Sequence, residues 1–305
     1  MSKREIIVGA RGSALSLQQA RGVLERLRRE RPEYRFSFRE VITRGDRIKR
    51  EFSPFEIGVF VKELEEALLA GKVDIAVHSL KDLPCVLSSG LVLAAVSERL
   101  CPNDVFLSRD GLPFSRMPAK AVIGTSSARR RSQLLNLRKD ICLTGMRGNI
   151  DTRLRKLREG RVDAIVCAFC ALQRLNKTEI STELLGDKDF LPAPGQAALG
   201  LEARADDREA LDLAKVLHHE LTAECVSVER DFLKALGGGC HLPLGVLAGK
   251  EGDLLRARGY VGTLDGSRAI KVEAEVLPEK SSFLGRKLAD LAIAEGAMEI
   301  LKDIK

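Results

Sequence analysis

Tryptophan is missing from the 305 residues and tyrosine occurs only twice, so aromatic side chains make up 4% of the chain. Single-stranded nucleic acid is gripped largely by stacking bases on aromatic rings, and this sequence offers little to stack on. No stretch approaches the roughly 20 consecutive apolar residues that a membrane-spanning helix needs. The opening "MSKREIIVGA" has too short an apolar run for a secretory signal and no small-residue cleavage site, so a cytoplasmic protein is expected. Neither a GxGxxG fingerprint nor a Walker-type glycine loop is present, which removes the usual cradles for nucleotide phosphates. A metal site also lacks support. Cys167 and Cys170 have zinc-ligand spacing, but no second pair accompanies them and a closed structural site needs four ligands. His218 and His219 are neighbours on a helical pattern and face different directions, so no metal is expected there either.

What remains is an ordinary soluble composition, 45% hydrophobic and 30% charged, with a length that predicts two or three domains. The seven cysteines are scattered through apolar runs such as "AIVCAFCAL", a pattern of buried thiols with room for one reactive one. The net charge of +7 calls for a nucleic acid, an acidic membrane surface or a polyanionic small molecule as partner. In the first two-thirds, β-branched runs alternate with amphipathic helical patterns: "EIIVGA", then a helix with Leu17, Ala20, Val23, Leu24 and Leu27 at helical spacing, then "FSFREVIT", "FVKELEEALLAGK" and "VDIAVHSL". That order predicts a parallel α/β sheet. A second set follows a Pro- and Gly-containing crossing segment: "AVIGTSS", "ARRRSQLLNLR", "ICLTGMRG", "NIDTRLRKLREG" and "VDAIVCAFCAL", the last read as a buried strand. "LPAPGQAALGLEARADD" reads as a return connection, and beyond about residue 217 short strands and a final helix predict a smaller α+β domain.

Cations gather where these strands end. Arg11 and Ser13 follow the first strand, Thr125, Ser126, Ser127, Arg129 and Arg130 follow another, and Arg147, Arg153 and Arg174 sit in later turns and helix starts. The carboxyl ends of strands form the ligand crevice of open α/β sheets, and helix N-termini attract anions. With nucleotide loops absent, several carboxylates suit bidentate arginines. "VHSLKDLP" brings Lys81 and Asp82 out together after a buried strand, either as a pair that handles positive charge and protons or as a structural ion pair. His78, inside that strand, reads as a core histidine. In "LGGGCHLPLG" three glycines precede Cys240, and such a run marks a turn or a close approach to the backbone.

"ARGSALSLQQA", "TRGD", "FVKELEEALL", "DIAVHSLKDLP", "GTSSARRRSQL", "RGNIDTRLRKL", "LPAPGQAALGLE" and "GGGCHLPLG" stand in the order and spacing of porphobilinogen deaminases, also called hydroxymethylbilane synthases, and the chain resembles that family over nearly its whole length. The resemblance implies two periplasmic-binding-protein-like α/β domains with a crossover plus a smaller α+β C-terminal domain: residues 1–98 with 197–215, residues 102–193, and residues 219–305. It implies a dipyrromethane cofactor in thioether linkage to Cys240, and a reaction that joins four porphobilinogens head to tail with loss of ammonia before water releases hydroxymethylbilane. Asp82, with Lys81, is implied as the catalytic group. Ser13, Lys81, Thr125, Ser127, Arg129, Arg130, Arg147 and Gln196 are implied to hold the cofactor, and Arg11, Arg147, Arg153, Arg174 and Phe60 the substrate. The implied partner is porphobilinogen, with no nucleic acid, membrane or metal, and the implied state is a monomer. The basic charge is thereby assigned to acetate and propionate groups.

The chain departs from the family at "SPFEIGVF", where a Gly-Gly-Lys-Gly loop is usual: Ile57 takes the lysine position and Glu56 a glycine position. Ala171 replaces a common glycine near Arg174. Two other readings compete. A binding module of the same architecture would use the arginines but leave Cys240 and Asp82 idle, and a nucleic-acid binder rests on net charge alone.

Overall fold

The computed structural model describes residues 4–42, 61–186, 188–239, 242–302 and 304. The chain divides into two compact units, Met1–Leu100 with Ala197–Ala223, and Cys101–Gln196 with Glu224–Lys305.

In the first unit, β1 (Glu5–Arg11), β2 (Arg35–Val41), β3 (Ile75–Ser79), β4 (Leu91–Val96) and β10 (Leu199–Arg204) form one sheet in the order β2-β1-β3-β10-β4. Ile6, Val8 and Ala10 alternate onto one face, where helix α1 (Ala14–Glu30) lays down Ala20, Val23, Leu24 and Leu27. The other face is closed by α2 (Lys62–Leu69), whose Leu64 and Leu68 pack with Val73, Ala76 and Leu91. The sheet is not parallel throughout, as the strand order in sequence predicts. β10 runs antiparallel to both β3 and β4, because it reaches the sheet by the return connection rather than through a local helical crossover. His78 is a core histidine, its Nε2 3.0 Å from the Glu202 carboxylate, with both side chains buried.

The second unit carries β5 (Asp104–Ser108), β6 (Val122–Gly124), β7 (Cys142–Thr144), β8 (Ala164–Ala168) and β9 (Glu183–Leu184) in the order β7-β6-β8-β5-β9. β6 pairs parallel with β7 and β8, whereas β5 runs antiparallel to β8 and β9. Helices α3 (Ala128–Leu137) and α4 (Ile150–Arg158) follow β6 and β7. The apolar run after residue 163 is only half strand: β8 ends at Ala168, and Phe169–Arg174 forms a short helix, α5. Both halves are apolar because both are buried, so hydrophobicity alone does not mark the boundary.

The C-terminal segment, read from sequence as a third domain, shares this second unit. After α6 (Arg208–Ala214) in the first unit, α7 (Glu220–Ala235) leads to an antiparallel sheet of β11 (Leu244–Glu251), β12 (Leu254–Gly262) and β13 (Ala269–Val276), followed by α8 (Ser281–Ala294) and α9 (Ala297–Lys302). His219 is not inside a helix: its Nδ1 accepts from Thr222 N (3.2 Å) just ahead of α7. The segment is tied to α3 by polar bonds as well as packing. Arg131 Nε donates to Leu264 O (3.1 Å) and Asn136 Nδ2 to Gly266 O (3.2 Å).

Candidate active site

β1 and β3 are parallel neighbours, so their carboxyl ends share one edge of the first sheet. Arg11 closes β1 and is half-buried. Ser13 opens α1 as its N-cap, with Oγ accepting from Ser16 N (3.2 Å). Lys81 and Asp82 stand on a single tight turn, Leu80–Asp82, directly after β3. Leu80 and Leu83 are buried on either side of that turn, and Leu80 N donates to Ala198 O (3.1 Å). Anchoring the leucines leaves Lys81 half-buried and Asp82 exposed. One residue earlier, Ser79 Oγ accepts from Gln19 Nε2 of α1 (2.9 Å), which fixes the strand end against the helix.

The second unit builds its strand ends around a buried carboxylate. β5 runs antiparallel to β8 with Asp104 opposite Ala168, so the first residue of β5 lies at the edge where β6 and β8 end. Asp104 is fully buried and takes both arginines of α3: Arg129 Nη1 at 2.6 Å and Arg130 Nη2 at 2.7 Å. Gln196 Nε2 adds a third donor at 3.0 Å and also bonds Pro102 O (2.6 Å). Burial works against the charged carboxyl, but the two guanidiniums overcome it and hold Asp104 far below the usual carboxylate range. Burial lowers the Arg129 pKa, whereas Asp104 outweighs burial at Arg130 and raises it.

Two cations against one anion leave this buried cluster positive, and further cations stand at helix and strand ends of the same unit. Arg153, on α4, is half-buried and bonds Gly148 O through Nε (2.8 Å), with no carboxylate paired to it among the described residues. Burial first, and then the nearby charge of Arg130, push its pKa down. Arg174 ends α5, where burial pushes its pKa down too. Arg147 is exposed in the turn after β7. Thr125 is buried and its Oγ1 accepts from Ser127 N (3.2 Å), while Ser127 Oγ caps α3 by accepting from Arg130 N (3.4 Å). A helix N-terminus with two arginines in its first turn is a strong anion attractor.

The residues present fit a bound polycarboxylate. Arg130 Nε is a buried donor with no hydrogen-bond partner among the described residues, and an unpaired buried N–H is costly until an acceptor arrives. Beside the glycine run, Gly238 has φ +71° and a Cβ placed there would meet nothing within 4 Å, so the backbone faces open space. One expectation is narrowed: Arg129 Nη1 bonds Asp104 and Leu191 O (2.7 Å), so that nitrogen is not offered to a ligand. Cys240, His241, Phe60, Glu56 and Ile57 lie outside the described residues. Asp104 is the site residue that sequence reasoning missed. Its signal was a lone acid at the start of the apolar run "DVFLS", but only the antiparallel pairing of β5 brings it to the arginines.

Comparison with known proteins places these features in a family. The model described as "Porphobilinogen deaminase, dipyromethane cofactor binding domain" matches residues 6–212, and that described as "Porphobilinogen deaminase, C-terminal domain" matches residues 223–294. The porphobilinogen deaminase of Thermus thermophilus is 45% identical over 303 residues, covering 99% of this chain and 100% of that protein. That of Desulforudis audaxviator is 44% identical over 306 residues, covering 99% of each. Among solved structures, a Salmonella typhimurium periplasmic binding protein with high arginine specificity overlaps 72% of this chain and 94% of its own, at 14% identity and a TM-score of 0.40.

Proposed function

The chain belongs to the porphobilinogen deaminase family, and from that premise we propose which of its residues carry the reaction. The activity is the head-to-tail condensation of four porphobilinogens, each losing ammonia, followed by hydrolytic release of hydroxymethylbilane. The dipyrromethane group, when bound, supplies the free ring carbon on which the first substrate unit is added.

Cys240 is the attachment residue. Its sulfur bonds the methylene carbon of a porphobilinogen unit as the amine leaves, and the thiol proton departs with that amine as ammonia. Arg129, Arg130, Thr125, Ser127, Arg147 and Gln196, with Ser13 and Lys81 of the first unit, hold the cofactor carboxylates. Arg11, Arg147, Arg153, Arg174 and Phe60 hold the incoming substrate. The observation that carries this assignment is the excess positive charge around Asp104, with the Arg130 Nε donor unsatisfied and Arg153 unpaired among the described residues. Pre-oriented buried cations of this kind reward an anion without reorganising.

Asp82 is the catalytic carboxylate. When the substrate amine departs, positive charge develops on the pyrrole, and a carboxylate facing the ring N–H stabilises it. Asp82 also gives the amine the proton with which it leaves and takes one back from the attacked ring carbon as that ring rearomatises, which balances each turn as one C–C bond made, one C–N bond broken and one ammonia lost. Lys81, next to it, holds a carboxylate and keeps the substrate in register.

The division of labour follows residues 1–98 with 197–215, 102–193 and 219–305, and the protein works as a cytoplasmic monomer; among the described residues no helix is long and apolar enough to cross a membrane. Intact mass of the denatured protein, made in cells that produce porphobilinogen, tests the assignment. A gain of two porphobilinogens less two ammonias, mapped to Cys240 and absent from Cys240→Ser, is expected. A bare wild-type protein, or a loaded Cys240→Ser, overturns it.

A further inference from the structure

Helix α3 does more than carry the arginine pair. Arg129, Ser132 and Gln133 are spaced i, i+3 and i+4, so they share one face of the helix. Ser132 and Gln133 are both buried; Ser132 meets the side-chain hydroxyl of Tyr260 and Gln133 the backbone of Leu191.

The first grip runs through a pair of hydroxyls. Ser132 Oγ and Tyr260 Oη are 2.8 Å apart and buried together. Gly262, two residues further along β12, lies so close that a Cβ would collide with both oxygens. The same Gly262 N donates to Pro243 O (3.1 Å), three residues after Cys240. The second grip runs through Leu191. Gln133 Nε2 donates to Leu191 O (2.9 Å) while Leu191 N donates to Gln133 Oε1 (2.7 Å). Gly245 at the start of β11 packs against that peptide, since a Cβ there would come within 2.8 Å of Leu191 O, and Val246 N donates to Pro192 O (3.0 Å). On the entry side, Glu229 of α7 accepts from Gly195 N (2.7 Å) and Ala248 N (3.0 Å), tying the helix before the loop to the strand after it.

We propose that Ser132 and Gln133 are positioning residues for cofactor attachment: they set where Pro243 and Leu244, which follow Cys240 in the chain, enter β11 relative to Arg129 and Arg130, one turn back on the same helix. The inference rests on the assignment of Cys240 and the arginine pair given above. A thioether-linked chain is fixed at one end by sulfur and must meet the guanidiniums with its carboxylates, so a shift of the loop exit separates the two anchors. Buried hydroxyls are directional in a way that apolar packing is not, and each leaves the other unsatisfied when removed.

The test uses apoprotein made without porphobilinogen, then incubated with porphobilinogen, with covalent mass gain followed over time. Tyr260→Phe and Ser132→Ala are each expected to slow attachment about tenfold, or about 1.4 kcal/mol in the barrier. Because both remove the same hydrogen bond, the double variant should be no slower than either single one. Ile300→Val, a buried change in the same unit at a side chain that makes none of these hydrogen bonds, lowers stability and should load at the wild-type rate. Wild-type loading by Tyr260→Phe and Ser132→Ala overturns the proposal, as does equal slowing by Ile300→Val. Cys240→Ser run in parallel separates the two levels: mass gain on that variant overturns the attachment assignment itself, whereas a bare Cys240→Ser beside normally loading Tyr260→Phe overturns the positioning role alone.

Discussion

At the strand ends of the first unit, Lys81 and Asp82 project from one short turn, with Asp82 exposed to water. At those of the second, Arg129 and Arg130 are buried and locked on Asp104, with Gln196 behind them. On the role proposed for Asp82, the first arrangement keeps a carboxylate hydrated until a substrate displaces the water around it, at which point its field on a nascent cation grows. The second places the cations before any ligand comes, so binding requires no rearrangement of them. Under the proposed assignment, chemistry and grip are prepared by different physical means, one by what the ligand removes and the other by what the fold has already fixed.

The sharpest way to break this contrast is at Asp82. Asp82→Asn should lower turnover by about 10²–10⁴-fold, while unfolding free energy stays within about 0.5 kcal/mol, as for most exposed positions. Near-normal turnover in a steady-state assay would remove Asp82 from the chemistry. Asp104→Asn should do the reverse first, costing about 3–5 kcal/mol in denaturant unfolding because two buried guanidiniums lose their counter-ion. The pH dependence carries the sign. Since the folded-state pKa of Asp104 is depressed, its contribution is complete above the ordinary carboxylate value of about 3.9, and it is lost as pH falls through the folded value. Wild type should therefore lose stability more steeply than Asp104→Asn on acidification below about pH 4, and parallel curves would mean that Asp104 is not the anchor. Arg153→Gln makes the smallest change. It should raise the KM for porphobilinogen about tenfold, near the 1.5 kcal/mol of a charged hydrogen bond. It should leave the unfolding midpoint level or higher, because a desolvated cation has gone. A lower midpoint with unchanged KM would make Arg153 part of the framework instead.

Much of this was legible in the sequence, for local reasons. "EIIVGA" reads as a strand, the serines of "AVIGTSS" mark a helix start, and the arginines are seen to gather after strands, as the structure places them. What escaped depends on partners distant in the chain. The direction of β10 follows from its route, which no window of sequence contains. Asp104 is one acid before an apolar run until β5 pairs with β8. The Phe169–Arg174 helix hides inside a continuous apolar stretch. Ser132 looks like a weak helix former, and its partner Tyr260 is 128 residues away.

The position of β10 has a consequence for how the protein is made. It lies between β3 and β4, and among the described residues β4 has no other strand beside it. During synthesis the ribosome must deliver all of 101–196 before that strand emerges, so the first sheet waits with open edges while the second can already pair its own strands. Long-range pairing of this kind is slow, and an unpaired edge is a template for aggregation. A nascent chain stalled before residue 199 is accordingly the form of this protein that most needs a chaperone.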